Sequence, residues 1–252
     1  MKEEEDWIKE RVTFNAAYGN ERMIAYLFLP KKGTPPYQTV VYFPGSPAIF
    51  VRSSESYAIP FLVTLEPGSR GFISKSGRAI IYPIYKGTFE RGDDLKSDYP
   101  DETHFYKEHV IMWAKDLSRS IDYLETRDDI DTDKLAYFGY SWGSTLAGII
   151  PAVEKRLKTS ILLVGGLYFQ RALPEVSPIH YLPRITIPVL MLNGRYDFYF
   201  PYETSQLPFF ELLGTPKEDK KLFLYETSHN VPRTDLIRET LAWLDRYLGP
   251  VE

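Results

Sequence analysis

The sequence predicts an α/β fold with a mainly parallel β-sheet and helices on both faces. Short apolar runs alternate with helix-length amphipathic segments, which is the order expected of such a fold. Most of these runs are apolar nearly throughout, as in strands that are covered on both faces. The chain of 252 residues, 44% of them hydrophobic, is long enough to bury a substantial core. We therefore expect a single domain over residues 1–252.

Eight strands are predicted in chain order. The first two, Val12–Tyr18 and Met23–Leu29, flank Gly19-Asn20, a pair typical of a hairpin turn. The sheet should therefore begin with an antiparallel pair. The other six strands are Thr39–Phe43, Ala79–Tyr85, Leu135–Tyr140, Thr159–Val164, Val189–Asn193 and Lys221–Tyr225.

The helices are predicted from apolar spacing and from residues that begin or end helices. His104–Thr126 has apolar residues every three or four positions, and Thr234–Leu248 is followed by Gly249-Pro250. The remaining helical segments are Ser69–Ser76, Trp142–Glu154 and Pro201–Leu213. Two long connections, Pro47–Pro67 and Lys86–Pro100, are expected to serve function, because long loops in compact domains usually do.

Composition excludes several classes of protein. The 30 basic and 34 acidic residues give a net charge of −4 without long runs of one sign, so we expect no nucleic-acid partner. The chain has no cysteine, which excludes disulfides, thiolate metal sites and a cysteine nucleophile. No run reaches the roughly 18–20 apolar residues of a membrane helix, and the acidic start lacks signal-peptide features, so we expect no membrane partner and a cytoplasmic location. No HExxH, phosphate-binding or dinucleotide motif occurs, and we expect neither metal nor cofactor.

The sequence Gly139-Tyr140-Ser141-Trp142-Gly143 lies between a predicted strand and a predicted helix. A serine in such a sharp turn projects its hydroxyl above the sheet, and the flanking glycines allow close backbone approach. The helix start adds free N–H groups where an anion could form. We interpret Ser141 as a catalytic nucleophile; the alternative is an ordinary helix-capping serine.

A serine nucleophile needs a base, and histidine is the usual one. Of the four histidines, His104 and His109 are predicted on the solvent side of a helix, and His180 in a loop. His229 follows the last strand, at the edge of a parallel sheet where sites form. It is the predicted base.

Asp197 follows the strand Val189–Asn193 and precedes His229 in the chain. A carboxylate there could orient the imidazole and stabilise its protonated form. It could instead cap the following helix, and Glu203 and Glu226 are rival acids.

The order Ser141, Asp197, His229 on this sheet resembles the α/β-hydrolase superfamily, over Val12 to Leu248. The chain is most similar to the branch of dienelactone hydrolase-like and prolyl-oligopeptidase-like esterases and peptidases. Dienelactone hydrolases proper carry cysteine at the nucleophile position, so their substrate is not carried over to Ser141. The short connection from Val164 to Pro188 implies that no large cap domain is inserted there.

The resemblance also implies an oxyanion hole, formed by the backbone N–H groups of Trp142 and Ser46. Ser46 lies in Pro44-Gly45-Ser46-Pro47, where many superfamily members have a histidine in place of Pro44. A plain Pro-Gly turn is the alternative for this segment. Aromatic side chains are expected in the substrate pocket. The candidates are Tyr85, Phe89, Tyr168 and Phe198, with Trp142 considered beside them.

These features predict a serine carboxylic-ester hydrolase acting on small-molecule esters of short to medium chain length, with possible acyl transfer to alcohols. Two other functions stay open. One is a serine peptidase of the oligopeptidase type, and the other is a non-catalytic interaction module that keeps the fold. The oligomeric state is left open.

Overall fold

The computed structural model describes residues 2–3, as backbone, and residues 6–55 and 71–251. The strands are β1 (Lys2–Glu3), β2 (Trp7–Asn15), β3 (Arg22–Pro30), β4 (Tyr37–Phe43), β5 (Ala79–Pro83), β6 (Ile130–Tyr140), β7 (Leu157–Leu163), β8 (Val189–Gly194) and β9 (Lys220–Tyr225). Parts of the predicted connection Pro47–Pro67 and of the predicted helix Ser69–Ser76 lie outside the described residues.

The strands form one sheet in the order β1-β2-β3-β5-β4-β6-β7-β8-β9. β2 and β3 are the predicted antiparallel hairpin, β3 also pairs antiparallel with β5, and β4 to β9 pair in parallel. The predicted sheet of eight strands, mainly parallel with an antiparallel start, is confirmed. β1 adds two residues at its edge.

Two strands begin five residues earlier than predicted. β2 starts at Trp7 rather than Val12, and β6 at Ile130 rather than Leu135. The added residues are largely charged and partly exposed, so their sequence does not have the continuous apolar character used to predict the other strands. Backbone pairing with a neighbouring strand extends them nonetheless.

The α-helices are α1 (Pro47–Phe50), α2 (Phe72–Lys75), α3 (His104–Leu124), α4 (Trp142–Leu146), α5 (Ile150–Val153), α6 (Leu207–Leu212) and α7 (Arg233–Leu248). A π-helical turn covers Tyr202–Gln206. Short 3₁₀ turns cover Phe89–Arg91, Pro174–Val176, Pro178–His180, Leu182–Arg184 and Lys217–Asp219. No helix in the described ranges combines the length and the apolar character needed to cross a bilayer.

Prolines divide two of the predicted helices. Trp142–Glu154 splits into α4 and α5, with Pro151 in the first turn of α5. Pro201–Leu213 splits into the π-helical turn and α6, with Pro208 in the first turn of α6. Proline lacks the backbone N–H that a continuous helix requires, but a first turn tolerates it.

The sheet separates two apolar clusters, one on each face. Consecutive β6 residues alternate between them: Tyr137 belongs to the cluster that includes Trp113 of α3, and Phe138 to the cluster that includes Leu244 of α7. Helices thus cover both faces, as predicted. Since β4, β6, β7, β8 and β9 are parallel, their carboxyl ends meet at one edge of the sheet.

Candidate active site

Ser141 occupies a strained turn between β6 and α4. Its backbone has φ 52° and ψ −107°, and a positive φ is rare for a residue with a side chain. The turn is bonded to the neighbouring strand β7, because the Ser141 N–H donates to the Leu163 carbonyl at 2.9 Å. A Cβ atom on Gly143 would lie 2.4 Å from the Phe43 carbonyl oxygen of β4, so glycine is required for this approach.

Two side chains that the sequence did not single out support the same turn. The buried Ser144 hydroxyl lies 2.7 Å from the Gly139 carbonyl and 2.8 Å from that of Leu163. The Tyr137 hydroxyl donates to the Gly143 carbonyl at 2.5 Å. These bonds fix the turn relative to the parallel strands β6 and β7. Ser144 is recognisable from sequence as a small polar residue on the first turn after the motif.

His229 joins the serine to a carboxylate. Its Nε2 lies 2.9 Å from the Ser141 Oγ, and its Nδ1 lies 2.7 Å from the Asp197 Oδ2. Because the carboxylate can only accept, Nδ1 carries the proton and Nε2 is the acceptor for the serine O–H. The three residues predicted from sequence are therefore within hydrogen-bond reach of one another.

Burial differs across these three side chains. Asp197 is 2% exposed, Ser141 9%, and the His229 side chain 18%. The Asp197 carboxylate is therefore inaccessible to solvent, whereas His229 and Ser141 line a cavity. The β8 end lies directly against the loop that carries His229, since a Cβ on Gly194 would be only 1.7 Å from the Ser228 carbonyl oxygen.

The rival acids lie elsewhere. Glu203 and Glu226 are both exposed. Glu226 accepts hydrogen bonds from Tyr196 and Arg195, and these bonds lower the pKa of its carboxyl group. Neither glutamate has a hydrogen bond to His229 in the described part of the chain. His104 and His180 are exposed as well.

His109 does not face solvent, and its predicted surface position is wrong. It is 2% exposed, with Nδ1 2.9 Å from the Phe105 carbonyl and Nε2 3.0 Å from the Asp93 Oδ2. His109 lies four residues before Trp113, so it shares the buried stripe of α3. It ties this helix to the segment 86–100.

A cavity of about 320 Å³ opens beside the serine and the histidine. Its described wall consists of Ser46, Pro47, Phe50, Ser97, Asp98, Tyr99, Tyr140, Ser141, Tyr168, Tyr199, Phe200 and His229. The long connection before Pro100 thus contributes to the wall, as does the loop after β4. Sequence reasoning did not single out Asp98, Tyr99, Tyr199 or Phe200, although the last two lie two and three residues after Asp197.

Of the four predicted pocket aromatics, only Tyr168 belongs to this wall. Tyr85 is fully buried, stacks on Phe43 at 4.0 Å and donates its hydroxyl to the Tyr42 carbonyl, so its predicted pocket role is wrong. Phe89 is 1% exposed and packs in the opposite core cluster, which also contradicts the prediction.

Phe198 and Trp142 also differ from a pocket position. Phe198 is 67% exposed, contacts the Tyr199 ring in a tilted arrangement and lies outside the cavity wall. The Trp142 ring is completely buried and packs edge-on against Phe43 and Trp113. Its ring belongs to the core, and only its backbone adjoins the serine.

The two predicted oxyanion donors lie on either side of the turn. Trp142 is the first residue of α4, where a backbone N–H has no partner within its own helix. Ser46 precedes α1 and lines the same cavity as Ser141. The Gly143 N–H donates to the Pro44 carbonyl at 3.0 Å and so fastens the Ser46 loop to the α4 start.

Tyr168 separates this cavity from a second one. Its hydroxyl donates to Asp98, and its pKa is raised by burial and by the nearby Asp98 charge, which keeps the phenol protonated. The second cavity, of about 450 Å³, is lined mainly by apolar residues of the segment 167–179 and by Leu146 and Ile149. Among the described residues, Tyr168 alone contributes to both walls.

No group of three His, Asp or Glu side chains within the described ranges is placed to hold a metal ion.

The sequence from residue 77 to residue 230 matches the model of the dienelactone hydrolase family. This stretch is more than half of the chain and includes Ser141, Asp197 and His229. The chain belongs to the dienelactone hydrolase family. It is therefore a member of a hydrolase family. It has Ser141 at the position where dienelactone hydrolases proper carry a cysteine.

Solved structures share the fold of this dienelactone hydrolase family member. The chain is similar to a cold-adapted esterase from an Arctic intertidal metagenomic library, with a TM-score of 0.71, 16% identity, and coverage of 98% of this chain and 97% of that one. It is also similar to the α/β hydrolase GrgF from Penicillium sp. sh18, with a TM-score of 0.71, 13% identity, and coverage of 96% and 99%. The α/β-hydrolase fold is thereby confirmed.

A curated relative is the uncharacterized peptidase YuxL of Bacillus subtilis (strain 168). The two are 22% identical over 213 residues, and the match covers 70% of this chain. The chain spans 31% of the length of that relative.

Proposed function

We propose that this family member is a serine carboxylic-ester hydrolase that works through an acyl-enzyme. The observation that carries the proposal is the position of the His229 ring, 2.9 Å from the Ser141 Oγ on one side and 2.7 Å from the Asp197 Oδ2 on the other. This is the geometry that a base needs to activate a hydroxyl nucleophile.

In the first half of the reaction, Ser141 Oγ attacks the ester carbonyl carbon while its proton passes to His229 Nε2. The resulting imidazolium is stabilised by the ionised Asp197. His229 then gives this proton to the departing alkoxide, so that an alcohol leaves and the acyl group stays on Ser141. A water molecule repeats the sequence, with His229 taking its proton and returning it to Ser141, and the carboxylic acid is released.

The negative oxygen of each tetrahedral intermediate needs hydrogen-bond donors. We assign this role to the backbone N–H groups of Trp142 and Ser46, whose loops are joined by the bond from Gly143 to Pro44. Each such donor contributes on the order of 3 kcal/mol to the transition state. The α4 N-terminus adds a favourable partial charge.

The cavity of about 320 Å³ suits an ester of short to medium chain length. Since the site lies beside an open cavity, an added alcohol could replace water in the second half of the reaction. Acyl transfer to alcohols is therefore part of the proposal as a side activity.

Substitution of the nucleophile tests the proposal. We expect Ser141→Ala to lower kcat for p-nitrophenyl esters by about 10⁴–10⁶-fold with the fold retained, because the acyl-enzyme can no longer form. It should also abolish labelling by a fluorophosphonate probe. Ser53→Ala, at an exposed serine outside the cavity, is the control and should behave as the wild type. Near-normal hydrolysis by Ser141→Ala, or an unlabelled wild type, would contradict the proposal and favour a non-catalytic module.

A serine peptidase is the second candidate, because the curated relative from Bacillus subtilis is described as a peptidase. The same three side chains could cleave an amide. Comparison of p-nitrophenyl esters with p-nitroanilides of matched acyl groups distinguishes the two. We expect kcat/KM to favour the esters; a preference for the anilides would assign the chain to the peptidases.

A further inference from the structure

Asp98 is a buried acid in the wall of the cavity that Ser141 and His229 share. It is 5% exposed, and its described hydrogen bond is the one that it accepts from the Tyr168 hydroxyl. Among the residues that the structure describes, no lysine, arginine or histidine forms an ion pair with it. A carboxylate removed from water is costly unless a positive group or several donors compensate it.

The surroundings of Asp98 are aromatic. Tyr99 contacts Tyr168 edge-on with ring centroids 5.2 Å apart, and Tyr168 lies 5.1 Å from Phe200. Phe200 in turn stacks near His229, at 5.9 Å. One continuous aromatic wall therefore leads from the acid to the catalytic imidazole.

An acid set among aromatic faces is the combination that attracts an organic cation. The faces of tyrosine and phenylalanine rings are electron-rich and bind ammonium groups, and more strongly where water is excluded. The carboxylate supplies a full opposite charge. A neutral apolar substrate would also pack against the aromatic rings, but it would leave the negative charge of the Asp98 carboxylate without a counter-charge.

We propose that the cavity beside Ser141 recognises esters bearing an ammonium group, with Asp98 as the counter-charge and the rings of Tyr99, Tyr168 and Phe200 as its aromatic surroundings. This inference rests on the proposed function, because it concerns the substrate of the same site. Asp98 is a specificity-determining residue that touches no reacting atom.

Matched esters test the proposal. Acetylcholine and 3,3-dimethylbutyl acetate differ only in nitrogen or carbon at one quaternary centre, so they separate charge from shape on the alcohol side. The p-nitrophenyl esters of 4-(trimethylammonio)butyrate and of 5,5-dimethylhexanoate do the same on the acyl side. We expect kcat/KM to favour the cationic member of at least one pair by about 10- to 100-fold, as expected for a hydrogen-bonded or paired charge.

Two variants assign the preference to Asp98. Asp98→Asn keeps the shape and an acceptor for Tyr168, and it should remove the preference, so that kcat/KM becomes equal for the two members of each pair. Asp94→Asn removes the same charge from the same segment at an exposed position outside the cavity, and it should keep the preference. Equal rates for both members of both pairs in the wild type would overturn the proposal, and so would a preference that survives in Asp98→Asn.

A binding measurement keeps this test independent of the proposed function. Titration calorimetry with choline and with its neutral isostere, 3,3-dimethylbutan-1-ol, requires no catalysis. We expect tighter binding of choline to the wild type and to Ser141→Ala, and loss of that difference in Asp98→Asn. Discrimination by Asp98 without fluorophosphonate labelling would refute the proposed function alone. Labelling with equal binding of the two alcohols would refute this inference alone.

Discussion

Asp197 accepts hydrogen bonds from three donors, which together fix the direction in which it faces His229. The backbone N–H groups of Tyr199 and Phe200 donate to its Oδ1 at 2.9 and 3.2 Å, and the imidazole donates to its Oδ2. The carboxylate therefore cannot rotate without losing bonds to its own loop. This arrangement holds the histidine in the tautomer that leaves Nε2 free to accept a proton.

Replacement of this acid by its amide tests that role. We expect Asp197→Asn to reduce kcat by roughly 10⁴-fold, because an amide N–H facing Nδ1 favours the wrong tautomer, as in a serine protease with the same change. Glu226→Gln is the control, since Glu226 is exposed and lies outside the catalytic hydrogen bonds. Steady-state kinetics of p-nitrophenyl acetate measures both. Comparable kcat values for the two variants would show that Asp197 is not the orienting acid.

The proximity of Ser141, Asp197 and His229 was predictable from sequence because each residue follows an apolar strand closely, and because the serine lies in a motif with required glycines. The residues that line the cavity were not predictable from sequence in this way. Tyr85 and Tyr168 have the same side chain and similar local sequence character, yet one packs inside the core and the other faces the cavity. Which face an irregular segment presents depends on tertiary packing, and no local pattern encodes it.

At the scale of the elements, a buried charge cluster anchors the segment that leads to Asp98. The Arg91 guanidinium lies 2.6 Å from the Asp116 Oδ2 of α3, and both side chains are nearly inaccessible to water. The Tyr18 hydroxyl and the Lys86 N–H also donate to Asp116. Three separate parts of the chain therefore meet at one carboxylate.

Loss of that carboxylate should destabilise the protein strongly. We expect Asp116→Asn to lower the free energy of unfolding by about 3–5 kcal/mol, because it removes the buried counter-charge of Arg91 and leaves only the 3.3 Å ion pair with the partly exposed Glu21. Asp122→Asn, on the same helix but partly exposed with Arg119 and Arg156 as partners, should cost less than about 1 kcal/mol. Urea denaturation followed by circular dichroism compares the two. Equal midpoints would show that the buried pair adds nothing to stability.

Element boundaries show where local patterns stop being informative. The α3 stripe was recognisable, but its buried side also carries His109, Asp116 and Ser120, polar residues that pattern reading places in solvent. They are buried because α3 packs against a polar connection rather than against an apolar surface alone. The division of the predicted helices Trp142–Glu154 and Pro201–Leu213 could in principle have been predicted from Pro151 and Pro208.

At the scale of the molecule, Arg127 links the N-terminal hairpin to the segment just before β6. It binds Glu10 of β2 at 2.6 Å and donates two bonds of 2.7 Å to Asp129, just before β6. The bonds from Arg127 lower the pKa of the Asp129 carboxyl. A carboxyl whose pKa is lower in the folded state stabilises the fold above its unfolded pKa, about 3.9, and loses that contribution as the pH falls through the folded value.

Acid denaturation tests this link. We expect Asp129→Asn to be less stable than the wild type by about 0.5–1 kcal/mol at pH 7, as for a well-formed but partly exposed pair. The difference should shrink below about pH 4 and vanish once the wild-type carboxyl is protonated. Asp133→Asn, at a highly exposed acid nearby, serves as the control and should show no such trend. A pH-independent difference between Asp129→Asn and the wild type would contradict the assignment.

The fold itself was largely predictable, since a parallel sheet buried on both faces has a continuous apolar signature for most of its strands. The two helical layers follow from that signature and the hairpin from Gly19-Asn20, whereas the order of the strands within the sheet was not predicted. The depth, shape and charge of the cavity could not be predicted in this way, because the described wall is formed where six separated segments converge.

The ring of Tyr168 acts as a partition within a two-chambered cleft. Exchange of this one phenol for a small residue would remove the side chain that the two walls share and enlarge the space beside Ser141. The space beside Ser141 is therefore bounded by a residue that takes no part in the hydrogen bonds joining Ser141, His229 and Asp197.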